Sequence, residues 1–280
     1  MADVSTIPAS PPTTKEIVLE QITEVIGEHV LDTVPPKPAP TVPTTIPEFP
    51  STPGDDFIPP CISQKPIPVA LRTNKNLGAL AVSLNHECPR WVPGSTLKWV
   101  VIREGFKNPK DADYAATHLN MACQKWNDLD VGVKFEWVNN AADATFALWH
   151  GGSYGNVLAS AFFPNPNDMS MMLVYNAAFS MPKWKANLWK VFTHELGHVL
   201  GLRHEFALDA DPVTGKANEA MRAEQLGPRN ENSVMTYGRV PPEIQQTDVE
   251  STRAFYALKD DDKGNPPLVG RTPVQDYEPM

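Results

Sequence analysis

The residues best suited to chemistry in this chain lie in the string HELGHVLGLRH, which spans residues 194–204. On a helix, His194 and His198 lie one turn apart on the same face, so both imidazoles can reach one cation. Gly201 lets the backbone leave the helix through a left-handed conformation, and the chain can then return His204 as a third ligand. Three protein ligands leave one tetrahedral position for water. The string therefore predicts a catalytic site for one Zn²⁺.

A chance match is the alternative to this interpretation. A lone histidine on a helix is more often structural than a ligand, and the short pattern HExxH also recurs by chance in long helices. The longer string fixes five positions of restricted type and uses three of the seven histidines in the chain. This specificity favours the metal site. Glu195 lies beside the ligands without having to be one, which suits it to accept and return a proton.

Downstream of the histidines, residues 233–238 read SVMTYG. A long zinc string followed by an SxMxY turn resembles the metzincin clan of zinc endopeptidases. The resemblance implies that Met235 packs beneath the metal as an apolar floor and is not a ligand. It also implies that Tyr237 reaches toward the metal and stabilises the transition-state oxyanion, as in astacin-like and serralysin-like members. Taken alone, Met235 could be ordinary core filler; its position after the zinc string favours the turn.

The resemblance implies a zinc-dependent metalloendopeptidase that hydrolyses peptide bonds of proteins or peptides bound in extended form. Zinc lowers the pKa of a bound water toward neutrality, and Glu195 would act as general base toward that water and then as general acid toward the leaving amine. A second hypothesis is a catalytically silent or latent zinc-binding protein that serves as an interaction module. The open coordination position favours the enzyme, because structural zinc sites usually complete four protein ligands.

The order of elements resembles a metzincin and predicts an α+β fold. We expect a twisted mixed β-sheet packed on a long helix and on the zinc helix, closed by a C-terminal helix. Asn108 and Pro109 supply an N-cap and a favoured first residue for the long helix, and Thr247 and Glu250 form a capping-box pattern for the last one. The candidate strands are residues 97–103, 133–138, 144–148, 157–163 and 172–175, and the zinc helix is residues 184–200.

Residues 157–163 (VLASAFF) resemble the edge strand above the cleft in matrixin-like members. The backbone groups of an edge strand can pair with an extended substrate, which adds one more strand to the sheet. Leu158 and Ala159 would be the nearest substrate-binding positions, and Val240, in the segment after Tyr237, would form part of the pocket wall. An interior strand without a ligand is the alternative, because strand order cannot be read from one sequence.

Traits of several families occur together in this chain. The segment PPEIQQTDVESTRAFYAL resembles the closing helix of matrixins and serralysins more than the end of an astacin. Glu205, directly after the third histidine, is instead astacin-like, and in astacins it is associated with anchoring the mature N-terminus. The resemblance therefore assigns the clan and leaves the family open.

Proline content separates the N-terminal part of the chain from the rest, since 15 of the 29 prolines fall in the first 68 residues. Such a segment is typical of an extended linker. We therefore expect three parts. Residues 1–80 form a proline-rich extension with a short helix, acting as a linker or latency segment. Residues 81–258 form the catalytic domain, and residues 259–280 form a polar tail.

A latency segment would hold a side chain against the zinc. Cys61 and Cys88 are candidate thiolate ligands, and Asp55 or Asp56 is a candidate carboxylate. None of them matches the PRCGxPD string of matrixins or a clear astacin aspartate switch. A linker residue or an ordinary packed thiol is the alternative in each case, since this is the commoner role of cysteine.

Charge and composition exclude several kinds of partner. The net charge of -9 and the lack of basic clusters argue against nucleic acid and anionic membranes. Acidic residues 209–211 and 260–262 do not fit an EF-hand loop, so zinc is the expected cofactor and calcium is not. No segment resembles a signal peptide or a membrane span. This favours a soluble, cytoplasmic protein, whereas the clan resemblance favours a secreted one. The sequence predicts no oligomeric state.

Overall fold

The computed structural model describes residues 14–26, 32–38, 61, 87–205, 207, 224–236 and 243–280. Within these residues the chain has the α+β fold that its sequence predicts. The helices are α1 (Thr14–Ile26), α2 (Pro109–Asp128), α3 (Asn176–Ser180), α4 (Pro182–Ala186), α5 (Leu188–Val199) and α6 (Gln246–Ala257). The strands are β1 (Cys88–Trp91), β2 (Thr96–Val101), β3 (Lys134–Trp137), β4 (Phe146–His150), β5 (Ala159–Ser160), β6 (Ser170–Val174), β7 (Leu268–Val269) and β8 (Thr272–Tyr277).

The central sheet has five strands in the order β3-β2-β4-β6-β5. β2 is parallel to β3 and β4, β4 is parallel to β6, and β5 runs antiparallel to β6. Every residue of β4 and β6 is buried, as is typical of parallel strands that are covered on both faces. Buried residues of α2 and α5 join the core on one face, and Leu19 of α1 joins the core on the other.

The long helix begins as its capping residues predict, whereas the zinc helix is shorter than predicted. The Asn108 side chain caps α2 by accepting a hydrogen bond from the Lys110 N–H at 3.1 Å. Residues 184–200 do not form one helix, because Asn187 has a φ of -111° and a ψ of 21° and separates α4 from α5. The Asn187 side chain donates to the Lys183 carbonyl at 2.9 Å. Such side-chain bonds to the backbone compete with a continuous helix.

The last helix begins two residues earlier than predicted. The Asp248 carboxylate accepts a hydrogen bond from the Gln245 N–H at 2.7 Å, and these two residues occupy the N3 and N-cap positions of α6. The expected pair of Thr247 and Glu250 therefore does not form the capping box. The Thr247 hydroxyl instead accepts a hydrogen bond from the Asn230 side chain at 2.7 Å.

Residues 259–280 are not simply the polar tail that the sequence predicts. β7 and β8 form a hairpin, and β8 pairs in parallel with β1. In β1, the buried Arg90 side chain donates to both carboxylate oxygens of Asp276, at 2.7 and 2.9 Å. Along β8, Thr272 and Val274 are buried and alternate with exposed residues. Because only alternate residues of β8 are buried, the average composition of the segment is polar. This is why its sequence predicted a polar tail.

Part of the N-terminal extension is built into the catalytic fold. The predicted short helix is α1, and residues 32–34 run beside the end of β2. The Val34 N–H donates to the Val101 carbonyl at 2.9 Å, and the Arg103 N–H donates to the Asp32 carbonyl at 2.8 Å. Val34 is fully buried in the main core. Among the described helices, none combines the length and apolar character that a membrane crossing needs.

Candidate metal centre

The three histidines of the zinc string converge in the structure. α5 carries His194 and His198 on one face, with ring centroids 5.0 Å apart, and both are buried. His204 approaches from the segment after the helix. Its Nε2 atom lies 3.1 Å from the Nε2 atom of His198, and its ring stacks on that of His194 at 5.3 Å between centroids. The sequence spacing therefore produces one compact cluster of imidazoles.

Gly201 allows the chain to return to this cluster. Its φ is +92°, and a Cβ at this position would lie 2.4 Å from the Pro89 carbonyl oxygen. The Gly201 N–H donates to the His198 carbonyl and the Leu202 N–H donates to the Gly197 carbonyl, both at 2.9 Å. These two bonds form a Schellman motif. The resulting turn brings the Leu202 carbonyl to 2.8 Å from His198 Nδ1.

A second backbone carbonyl orients His194. Its Nδ1 atom lies 2.7 Å from the carbonyl oxygen of Val234, in the turn that contains Met235. Because a carbonyl can only accept, Nδ1 carries the proton in both helical histidines. The Nε2 atoms are then the ones available to a metal.

The methionine turn is held by a residue that sequence analysis missed. Asp248 of α6 accepts hydrogen bonds from the Ser233 hydroxyl at 2.6 Å and from the Val234 N–H at 2.9 Å. Met235 is buried, and its Sδ atom would lie 2.3 Å from a Cβ added at Gly197 of α5. The turn thus packs directly beneath the zinc string. An aspartate in the first turn of a helix gives no sequence signal that it also binds a distant loop.

Burial keeps the two helical histidines neutral. Desolvation, and secondarily the nearby His204, lowers the pKa of His194 to about 3 and the pKa of His198 well below its usual range. Neutral imidazole is the form that binds metals. Three imidazole nitrogens are donors that suit zinc, so the residues present fit the predicted ion.

Two further groups lie at the imidazole cluster. Glu195 is buried in α5, and the Sγ atom of Cys61 lies 3.8 Å from its Oε2 atom and 3.5 Å from His198 Nε2. The donor atoms of Cys61 and the three histidines all lie within 4.8 Å of one another. Cys88, the other cysteine candidate, is not in this group. Asp55 and Asp56 lie outside the described residues.

β5 lies at the edge of the central sheet, as expected for residues 157–163, although only Ala159 and Ser160 form the strand. The Leu158 carbonyl accepts a hydrogen bond from the Tyr175 N–H at 2.9 Å. In an antiparallel ladder, the N–H and C=O groups of one residue point to the same side of the strand. Those of the next residue point to the opposite side. Leu158 and Ala159 were both expected to meet a substrate. Leu158 points its carbonyl toward β6, so Ala159 points its backbone groups away from β6, to the open side of β5.

Glu205 borders a cavity behind the third histidine. Its N–H donates to the Met235 carbonyl at 3.2 Å. With Pro89 and Asp248 it lines a cavity of about 220 Å³. Desolvation raises the pKa of Glu205. Anchoring of a mature N-terminus by this residue stays a prediction.

Two expected site residues cannot be placed. Tyr237 and Val240 lie outside the described residues, which end at Thr236 on this side of the gap. The oxyanion role of Tyr237 and the pocket role of Val240 stay predictions.

A comparison with family models identifies the family of the chain. The family model described as metallo-peptidase family M12 matches residues 101–247, just over half of the chain. The chain therefore belongs to metallopeptidase family M12, a family of metzincin-type zinc metalloproteases. The matched residues include the three histidines, Glu195 and the methionine turn.

Solved structures of two proteins are similar to part of the chain. One is myroilysin, with 14% sequence identity and a TM-score of 0.44. The other is high choriolytic enzyme 1, a hatching enzyme zinc-protease from the medaka fish Oryzias latipes, with 15% identity and a TM-score of 0.42. Each comparison covers 61% of this chain and 96% of the other. No curated protein matches the chain in sequence.

Proposed function

We propose that this protease is an endopeptidase that holds one Zn²⁺ through His194, His198 and His204. The orientation of the two helical imidazoles carries the proposal. His194 Nδ1 is bonded to the Val234 carbonyl at 2.7 Å, and His198 Nδ1 is bonded to the Leu202 carbonyl at 2.8 Å. Carbonyls placed in this way fix the tautomer and ring direction of metal ligands. Three histidine ligands with one remaining position are typical of catalytic zinc sites.

Glu195 is the residue that we expect to move the proton. When bound, zinc supplies a Lewis acid that makes water nucleophilic near neutral pH and polarises the scissile carbonyl. The Glu195 carboxylate then accepts the proton of the attacking water and returns it to the leaving amine. The water oxygen joins the carbonyl carbon as the C–N bond breaks, and the substrate forms no covalent bond to the chain.

Substrate binding in extended form is supported by the edge position of β5. Ala159 directs its backbone groups away from β6, so a peptide on that side could pair with it and extend the sheet. We propose that the substrates are proteins or peptides that bind in this extended form. Val240 would contribute to the pocket that selects the side chain next to the scissile bond.

Cleavage of a quenched peptide library tests the proposal. Because Cys61 lies at the cluster, four full-length proteins are compared: wild type, Glu195→Ala, Cys61→Ser and the double variant. We expect one zinc per chain in all four, cleavage by Cys61→Ser, and a kcat lower by about 10²- to 10⁴-fold in the double variant. Glu104→Ala, which changes an exposed glutamate, is the matched control.

Zinc bound to Cys61→Ser without cleavage of any peptide would refute the endopeptidase. Comparable cleavage by Cys61→Ser and by the double variant would refute the role of Glu195. Loss of zinc from a Glu195→Ala variant would mean that Glu195 supports the metal site and would contradict its assignment as a non-ligand.

A further inference from the structure

The carbonyls at the end of the zinc helix are bonded to side chains from distant parts of the chain. An α-helix leaves the carbonyls of its last turn without helical N–H partners. The Schellman motif at the end of α5 satisfies two of them. The next two carbonyls accept hydrogen bonds from side chains. The Trp91 indole N–H donates to the Val199 carbonyl at 2.7 Å, and the Tyr256 hydroxyl donates to the Leu200 carbonyl at 3.1 Å.

These two donor side chains are also joined to each other. A backbone hydrogen bond from Trp91 reaches the Tyr256 phenol, and both residues are buried. Burial raises the pKa of Tyr256, so the phenol keeps the proton that it donates. Arg90 links the elements that carry the two residues, because its guanidinium donates to the Phe255 carbonyl of α6 and to the Asp276 carboxylate of β8. The end of the zinc helix is therefore attached to β1, to α6 and, through β1, to the C-terminal hairpin.

The turn that follows these carbonyls supplies two groups of the metal centre. Gly201 comes first, and the Pro89 carbonyl oxygen of β1 lies so near that a Cβ at Gly201 would be 2.4 Å from it. The Leu202 carbonyl then meets His198 Nδ1 at 2.8 Å. His204 follows two residues later. A shift of the turn would thus move both the third ligand and the carbonyl that orients the second.

We propose that Trp91 and Tyr256 are positioning residues of the metal centre, because they hold the turn that places His204 and the Leu202 carbonyl. This inference rests on the proposed function, since it takes His204 as a zinc ligand. Both side chains act through the backbone of residues 199–202. Removing either donor takes a hydrogen bond from a buried carbonyl, which is costly. The turn then rearranges to recover a partner, and the geometry of the ligands changes with it.

Zinc affinity of Tyr256→Phe tests the proposal, because this change removes only the hydroxyl. Full-length Cys61→Ser is the parent, so that no thiol contacts the metal. We expect the zinc Kd, measured by competition with a chromophoric chelator, to rise about tenfold, the lower end of the effect of groups that orient ligands. Tyr114→Phe is the matched control. The Tyr114 hydroxyl also donates to a carbonyl near the end of a helix, that of Lys185 in α4 at 2.8 Å.

Cobalt spectra and kinetics separate positioning from a general loss of stability. Both tyrosine variants lose one hydrogen bond, so both should unfold at a lower urea concentration than the parent. Only Tyr256→Phe should change the visible absorption bands of the cobalt-loaded protein, because these bands report ligand geometry. With saturating zinc, its kcat for a library peptide should fall about tenfold at unchanged KM, since the turn holds metal ligands and not the substrate. Trp91→Phe should change the same quantities in the same direction; should it fail to fold, Tyr256→Phe decides alone.

Each contrary result points to a different step. Equal zinc affinity and equal cobalt spectra in the parent and Tyr256→Phe would overturn the positioning role, as would equal changes in Tyr256→Phe and Tyr114→Phe. If His204→Ala kept the zinc affinity of the parent, the three-histidine site would be refuted, and the positioning role with it. If the parent bound zinc through His204 but cleaved no peptide, the endopeptidase would be refuted. The zinc and cobalt measurements would then still decide the role of Tyr256.

Discussion

The Nδ1 atom of His194 lies 2.7 Å from the carbonyl oxygen of Val234, which joins the zinc helix to the methionine turn. The Val234 N–H in turn donates to the Asp248 carboxylate at 2.9 Å. A continuous path of contacts therefore runs from α6 through the turn to an imidazole of the cluster. Contacts that orient a ligand in this way contribute to metal affinity, because they fix the tautomer and the ring direction of the ligand.

Gly197→Ala is expected to weaken zinc binding without altering a ligand. The new Cβ would lie 2.3 Å from Met235 Sδ, so the buried Met235 side chain has to move. We expect this movement to displace the turn and to withdraw the Val234 carbonyl from His194. Loss of such an orienting contact costs about 10- to 100-fold in metal affinity. Competition with a chromophoric chelator measures the change.

Removing the clash provides the control for this prediction. In the double variant Gly197→Ala with Met235→Ala, the added methyl group meets no sulfur. If the two substitutions acted independently, their losses of zinc-binding free energy would add. We expect the double variant to lose less zinc-binding free energy than that sum. Unchanged zinc affinity in Gly197→Ala would mean that Met235 can move without displacing the Val234 carbonyl from His194.

Tyr237→Phe is expected to lower kcat/KM by about 10²-fold, the cost of losing one oxyanion donor. The change removes only the phenolic hydroxyl, so zinc content should stay at one per chain. The measurement is best made with Cys61→Ser as the parent, and Tyr154→Phe, on the surface, is the matched control. An unchanged kcat/KM would reduce Tyr237 to a packing residue.

His118 is expected to make stability fall at acidic pH. Burial lowers its pKa from 6.5 to about 4, and its Nδ1 atom accepts a hydrogen bond from the Trp189 N–H at 3.1 Å. Between these two pKa values the unfolded chain binds more protons than the folded chain, so stability is lost as pH falls from 6.5 toward 4. The loss would reach about 3 kcal/mol at most.

His118→Asn tests this assignment, because the Asn carbonyl can accept the Trp189 N–H but does not titrate. Urea unfolding of zinc-loaded protein at pH 6.5, 5.5 and 4.5 should show a smaller decline for the variant than for wild type. Identical declines would mean that other groups, such as the buried His150, carry the dependence.

Asp276→Asn is expected to destabilise the fold by roughly 1.5–3 kcal/mol, because it weakens charge-assisted hydrogen bonds to a buried partner. The side chain of Arg90 is only 2% exposed, so its guanidinium has little water to replace the lost carboxylate. Urea unfolding measures the effect. Asp262→Asn, at an exposed position, should change stability little, and equal values for both variants would contradict the role of the ion pair.

Several local features follow from adjacent residues alone. The α2 cap depends on Asn108 and Pro109, and both the prediction and the structure place the start of the helix there. The left-handed turn at Gly201 was also predictable, because only a glycine accepts that backbone conformation at low cost. Features of this kind need no information about distant parts of the chain.

Other features depend on contacts between distant segments. Asp248 was missed because it binds a turn that precedes it by many residues, and β8 was taken for a tail because its partner is β1. Val34 was assigned to a linker although it completes the core beside β2. Burial of these residues arises from their partners, and composition within a short window does not reveal it.

The sequence by itself determined the ligand types, the helical spacing of His194 and His198, and the glycine that returns His204, because local backbone geometry fixes all three. Tertiary structure decided which carbonyls orient the imidazoles and which side of β5 faces outward. It also decided that Cys61, and not Cys88, lies at the cluster. These outcomes depend on where separate segments meet, and that is set by packing of the whole core.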